Sequence, residues 1–193
     1  MTSHPTLILI AGGPGAGKTA LGRELARRSP SAILLDKDVL GAVWVDAMLG
    51  HLNAGQIDRD SKVYWDIVRP LEYSALLATA LDNLALGKTV FAVAPFGPEL
   101  RDAVWVRQLT QSVNELGGQM LTIWIETDAE TARARMSARN DPRDAWKLAH
   151  WARFSQKAQF APPCAGLFVL RNSGRVPLPD LVKQAFDYLH HST

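Results

Sequence analysis

Short apolar runs alternate along the chain with longer stretches in which apolar side chains recur every three or four residues. Runs of the first kind suit strands buried on both faces of a parallel sheet, and stretches of the second suit helices lying against such a sheet. The runs predict strands over 6–11, 32–35, 89–94, 120–126 and 166–171. The periodic stretches predict helices over 18–28, 39–49, 62–86, 99–116, 128–139, 143–158 and 178–190. Their alternation predicts an α/β fold, a five-stranded parallel sheet with helices on both faces. Punctuation agrees: Gly87 and Gly117-Gly118 follow helical stretches as C-terminal caps do, Asp128 stands where an N-cap would open a helix, and Pro177 and Pro179 mark the last helix start. With no repeat, low-complexity tract or linker, residues 1–193 read as one domain carrying a small helical lid over approximately 133–158.

The turn after the first strand carries the chemistry. Gly12-Gly13-Pro14-Gly15-Ala16-Gly17-Lys18-Thr19 is a complete G-x-x-x-x-G-K-[ST] loop between an apolar strand and a helix. Such a loop turns backbone N–H groups inward around a phosphate, and the following helix, with Ala20 in its first turn, adds its positive end. Lys18 is spaced to reach the β- and γ-phosphates of ATP, and the Thr19 hydroxyl to ligate Mg²⁺. This pattern predicts a nucleoside triphosphate site.

Two acids follow at the tip of strand 2, in Leu35-Asp36-Lys37-Asp38. Strand tips of an open parallel sheet gather at one edge, which places Asp38 near the triphosphate. A carboxylate there can orient an acceptor hydroxyl and take its proton during phosphoryl transfer, and it can equally cap the helix starting at Val39. Asp36 is a candidate for the Mg²⁺ environment, and equally for an ion pair with Lys37 or a neighbouring lysine. A second cluster holds Arg133, Arg135, Arg139 and Arg143, with Pro142 forming a corner; Arg135 and Arg139 share a helix face. Guanidinium groups on such a corner suit closure over phosphates, although helix surfaces also carry arginines routinely. The helices after strand 2 and the 62–86 segment carry Trp44, Tyr64, Trp65, Asp66, Arg69, Glu72 and Tyr73, an aromatic and polar set that suits a ring-bearing acceptor. From it Trp44, Trp65 and Arg69 are expected to meet the acceptor, closure of the seams between helices being the competing account of either tryptophan and a surface ion pair that of Arg69.

At these features the sequence resembles the small P-loop kinases, a group with the P-loop NTPase fold. It resembles more narrowly the AAA_33 phosphotransferases, zeta-toxin-like and chloramphenicol phosphotransferase-like proteins and polynucleotide kinase domains. The resemblance implies that Asp38 acts as base toward a hydroxyl, that Arg135, Arg139 and Arg143 hold ATP phosphates, and that Asn172 and Ser173 lie beside the adenine. The chain departs from many relatives at the end of strand 3, where Ala94-Pro95 stands in place of an acid. The implied activity is ATP- and Mg²⁺-dependent phosphorylation of a small molecule bearing a hydroxyl, with a nucleoside or sugar-containing antibiotic as one subclass. A nucleic-acid 5′-hydroxyl, a nucleotide sugar and a non-catalytic ATP-dependent regulatory role stay open.

Composition narrows this only a little. In 193 residues, 47% are hydrophobic and 21% charged, ordinary for a globular protein. A net charge of +2 supplies no basic stripe for a phosphate backbone, so nucleic acid is not expected. No apolar run is long enough for a membrane span. One cysteine, Cys164, precludes an intrachain disulfide, and Met1 to Pro5 lack signal-peptide character, so a cytoplasmic location is expected.

Overall fold

The central strand β1 (Thr6–Gly12) is buried at every position, which its run Leu7-Ile8-Leu9-Ile10-Ala11 requires. A computed structural model describes residues 4–52, 58–141 and 144–192 of the protein. In it β1 lies between β3 (Val90–Val93) and β4 (Gln119–Glu126), with β2 (Ile33–Asp36) outside β3 and β5 (Phe168–Arg171) outside β4. Every pairing is parallel. Successive side chains of β1 enter opposite cores. Leu7, Leu9 and Ala11 meet α4 (Arg69–Ala85), α5 (Gly97–Arg101) and α6 (Ala103–Glu115) through Leu76, Ala80, Leu84, Leu100 and Val113. Ile8 and Ile10 meet α1 (Lys18–Arg28) and α10 (Leu178–His191) through Leu21, Leu25, Leu181 and Val182. Trp124, with no exposed surface, is the largest side chain in the first core.

Register sets what meets at the functional edge. Ile10 pairs with Val93, and Val93 with Asp36, so β3 and β2 end level and β1 runs two residues further, into the phosphate loop. Gly12 donates its N–H to the Pro95 carbonyl, which ties the start of the phosphate loop to the end of β3.

Four predicted helices are interrupted. The helix expected over 39–49 is α2 (Lys37–Leu40) and α3 (Ala42–Leu52), parted at Gly41. Its cap is Asp36, whose side chain accepts from the Asp38 N–H at 2.9 Å; Asp38 is therefore not the cap. The helix expected over 62–86 opens with a π turn, Tyr64–Val68, before α4. Pro70 has no N–H to give the preceding turn and its ring crowds that turn's carbonyl, so the wider winding falls just ahead of it. The helix expected over 99–116 divides at Asp102, which caps α6 through the Val104 and Trp105 N–H groups. The lid region has α7 (Ala129–Arg139), α8 (Ala145–Ala149) and α9 (Trp151–Lys157) where 128–139 and 143–158 were expected. Arg143 lies outside the described residues. Gly87 and Gly117 have φ of 74° and 69°, the left-handed conformation their capping role needs.

Candidate active site

The phosphate loop owes its shape to positions only glycine fits. Gly12 has φ of 146°, and a Cβ there would stand 2.6 Å from the Ile125 carbonyl oxygen. Gly17, at φ 97°, has room for no side chain because the Asn172 amide nitrogen would lie 2.8 Å away. Lys18 opens α1 and donates from Nζ to the Gly13 carbonyl at 2.8 Å, so its ammonium lies over the loop. Pro14 and Gly15 are partly buried, Ala16 is fully buried, and Ala20 is exposed on the first turn of α1.

Thr19 donates from Oγ1 to Asp36 Oδ2 at 2.8 Å, joining the helix after the loop to the tip of β2. A hydroxyl and a carboxylate are hard oxygen donors of the kind Mg²⁺ takes while keeping several waters. Among the described residues no group of three or more His, Cys, Asp or Glu could hold a metal. Thr19 and Asp36 would hold Mg²⁺, directly or through water.

Charge converges on Lys18. Burial lowers its ammonium to about 8, opposed by Asp38 and Asp36 and aided by Lys37 and Arg139. Asp38 and Arg139, distant in sequence, are thus both among the charges that act on the loop lysine. A bound triphosphate favours the protonated form and raises this pKa. ATP binding is therefore expected to take up a proton increasingly as pH rises from 7 through 8, with affinity falling over the same range. Calorimetry in buffers of different ionisation enthalpy reads that uptake, and its absence at pH 8.5 would remove Lys18 as the group responsible.

The lid arginines divide. Arg135 donates to the Asn172 carbonyl at 3.0 Å, Asn172 Oδ1 at 2.9 Å, the Gly174 carbonyl at 3.2 Å and the Gly15 carbonyl at 3.3 Å. It therefore ties the phosphate loop to the segment after β5, and its donors are not spread toward a transferring phosphate as the sequence suggested. Asn172, buried, completes the tie by donating from Nδ2 to the Ala16 carbonyl at 2.8 Å. Ser173 accepts the Asp128 N–H at the start of α7. Asn172→Ala strips partners from Arg135 and Ala16 at once and is expected to cost about 2 kcal/mol in urea unfolding. Arg139 is half exposed and paired with the buried Asp144. Arg133 covers the Trp151 ring at 5.8 Å.

On the acceptor side, Arg69 is corrected. Its guanidinium makes two bonds to the Glu99 carboxylate, at 2.6 and 3.0 Å, between the faces of Trp65 and Tyr73. The ion pair, not the acceptor, accounts for it. Trp44 packs partly buried against Val45, Leu49, Tyr64 and Val68, whereas Trp65 is 47% exposed. Sequence reasoning missed Lys37, Arg59 and the weight of Glu72. Lys37 donates to Asp38 Oδ1 at 2.9 Å and to Glu72 Oε2 at 2.8 Å. Tyr64 donates to Glu72 Oε2 at 2.9 Å, and Arg59 to Asp46 Oδ1 at 2.9 Å. Burial works to lower Lys37, yet Asp38 and Glu72 outweigh it and leave the ammonium above its ordinary value. Burial and Glu72 push the Tyr64 phenol upward, so it stays a donor. One signal for Glu72 was available: it sits in the ladder Val68, Glu72, Leu76, Ala80, Leu84, a carboxylate on an apolar stripe.

A parallel sheet with a phosphate-binding loop after β1, an acid at the tip of β2 and arginines on α7 defines a P-loop protein of the kinase type of fold. The chain belongs to the AAA_33 family, described as an AAA domain, which it matches over residues 7–163. Among curated proteins, no significant sequence match is found. Its fold is similar to that of a Chloroflexus aurantiacus protein provisionally named a kinase, at 20% identity and TM-score 0.66, with all of both chains covered. The Mycobacterium tuberculosis APS kinase, solved with AMPPNP and APS, is similar at 18% identity and TM-score 0.60, with 97% and 98% of the chains covered. A gluconokinase from Sinorhizobium meliloti is similar at 15% identity and TM-score 0.56, with 97% and 92% covered. Among the described residues no helix is long and apolar enough to cross a membrane.

Proposed function

We propose that the protein is an ATP- and Mg²⁺-dependent kinase that moves the γ-phosphoryl group to a hydroxyl of a small molecule. The observation that carries this reading is the 2.8 Å hydrogen bond from Thr19 to Asp36, which joins the helix behind the phosphate loop to the tip of β2, where Asp38 stands two residues on with half of its side chain exposed. Backbone donors of residues 13–19 and Lys18 fix the triphosphate. Asp38, with 48% of its side chain exposed, orients the acceptor hydroxyl and accepts its proton as the new O–P bond forms and the bond to ADP breaks. Bound Mg²⁺ supplies neutralisation of phosphate charge. Arg139 offsets the charge that develops on the transferring group, and Arg143 is proposed to join it. Arg135, with Asn172 and Ser173, holds the wall beside the nucleotide base.

The solved kinases of similar fold, named for gluconate and APS, support a compact polar acceptor. Trp44 and Trp65 make a sugar, a nucleoside or a sugar-containing antibiotic the acceptor class of first choice. Incubating the protein with ATP, Mg²⁺ and a library of hydroxyl compounds, read by mass for an added phosphoryl group, tests the proposal. If no compound gains phosphate and a partner protein binds only with ATP present, the kinase reading fails in favour of a switch.

A further inference from the structure

Four charges alternate around a square beside the base. Lys37 Nζ lies 2.9 Å from Asp38 Oδ1 and 2.8 Å from Glu72 Oε2, and Arg59 Nη1 lies 3.7 Å from both Asp38 Oδ1 and Glu72 Oε1. Three corners are buried: the side chains of Lys37, Glu72 and Arg59 expose 5%, 1% and 10% of their surface, against 48% for Asp38. The one corner open to solvent is the one placed to meet an acceptor.

Such an arrangement is a poor way to gain stability. Burying ions costs several kcal/mol each, and apolar replacements of similar volume are often as stable or more so. The square is also imperfect, since Glu72 Oε1 and Arg59 Nε and Nη1 are buried without hydrogen-bond partners. What it does provide is direction. Lys37 immediately precedes Asp38 in the chain, and its ammonium is anchored from the far side by a carboxylate on α4 that Tyr64 steadies in turn. Asp38 Oδ1 is therefore held toward the protein by a cation that cannot turn to water. Arg59, anchored on Asp46, supports the same two carboxylates from another side.

We propose that Glu72, acting through Lys37, is the positioning residue that aims the Asp38 carboxylate at the acceptor. It touches neither nucleotide nor acceptor. The inference rests on the reading of Asp38 as base, and its test separates the two. ATP turnover with water as acceptor, at saturating Mg²⁺, is compared for the native protein, Glu72→Gln and Glu72→Asp. Glu72→Gln, which keeps volume but not charge, is expected to lower kcat at least tenfold with KM for ATP within twofold, and Glu72→Asp to recover most of the loss. In the Asp38→Asn background Glu72→Gln is expected to cost nothing further. An additive loss, or equal damage from Gln and Asp, overturns the proposal.

Crystal structures of Glu72→Gln and of the milder Tyr64→Phe give a second answer that needs no turnover. The Lys37–Asp38 contact is expected to break and the carboxylate to turn in the first, and to loosen in the second. An Asp38 side chain unmoved in both overturns the proposal even if kinase activity is found. Native protein that turns over no ATP while Asp38 moves as expected overturns the base instead.

Discussion

Lys18→Met is expected to weaken ATP·Mg²⁺ binding about a hundredfold, near 3 kcal/mol, while leaving the melting temperature unchanged or higher. The two directions differ because the same burial acts on both. Burial lowers the Lys18 ammonium to about 8, so below that pH the folded protein carries a charge it disfavours relative to the unfolded chain. That penalty is complete below pH 8 and is relieved as pH rises toward the ordinary lysine value. Methionine removes it and removes at the same time the charged donor aimed at the phosphates. Titration with a fluorescent ATP analogue, beside a thermal melt at pH 7, checks both. A variant that lost binding and stability together would show Lys18 to be mainly a structural clasp on the Gly13 carbonyl.

Asp38→Asn is expected to lower phosphoryl transfer by about a hundred- to ten-thousandfold with ATP affinity within about threefold. The amide keeps the volume and an oxygen for Lys37, so the lesion is confined to proton acceptance and to the orientation of the hydroxyl. Because Asp38 is half exposed, its loss leaves the core untouched. The mass-based assay with the acceptor library reads the transfer, and calorimetry reads the affinity. Transfer persisting at a tenth of the native rate would take the base away from Asp38.

The sheet was legible because its strands centre on apolar runs, and because glycines close the helices that precede β3 and β4. The phosphate loop was legible because its spacing is dictated by backbone conformation, as Gly12 and Gly17 show. Helix breaks were not, although Gly41 is a helix breaker and Asp102 a capping residue by type; a periodic pattern masks an interruption of one residue. The acceptor side was read least well. Arg69 looked available in sequence because nothing near it reveals Glu99, thirty positions on and brought close by β3. Lys37 lies in a segment too short for periodicity to show which way it points, and its partner is a residue on α4. Arg135 was placed on the right helix, yet its donors are spent on backbone carbonyls and the Asn172 side chain, which no spacing rule foretells.

The order of strands has a last implication. With β3 interposed, the strand that ends in the phosphate loop and the strand that ends in the acid stand two interstrand steps apart, about 10 Å. That ruler is built from backbone and floored by Ala94 and Pro95, neither of which offers a charge. The helices from α2 to α4 can therefore change their side chains without altering that backbone spacing.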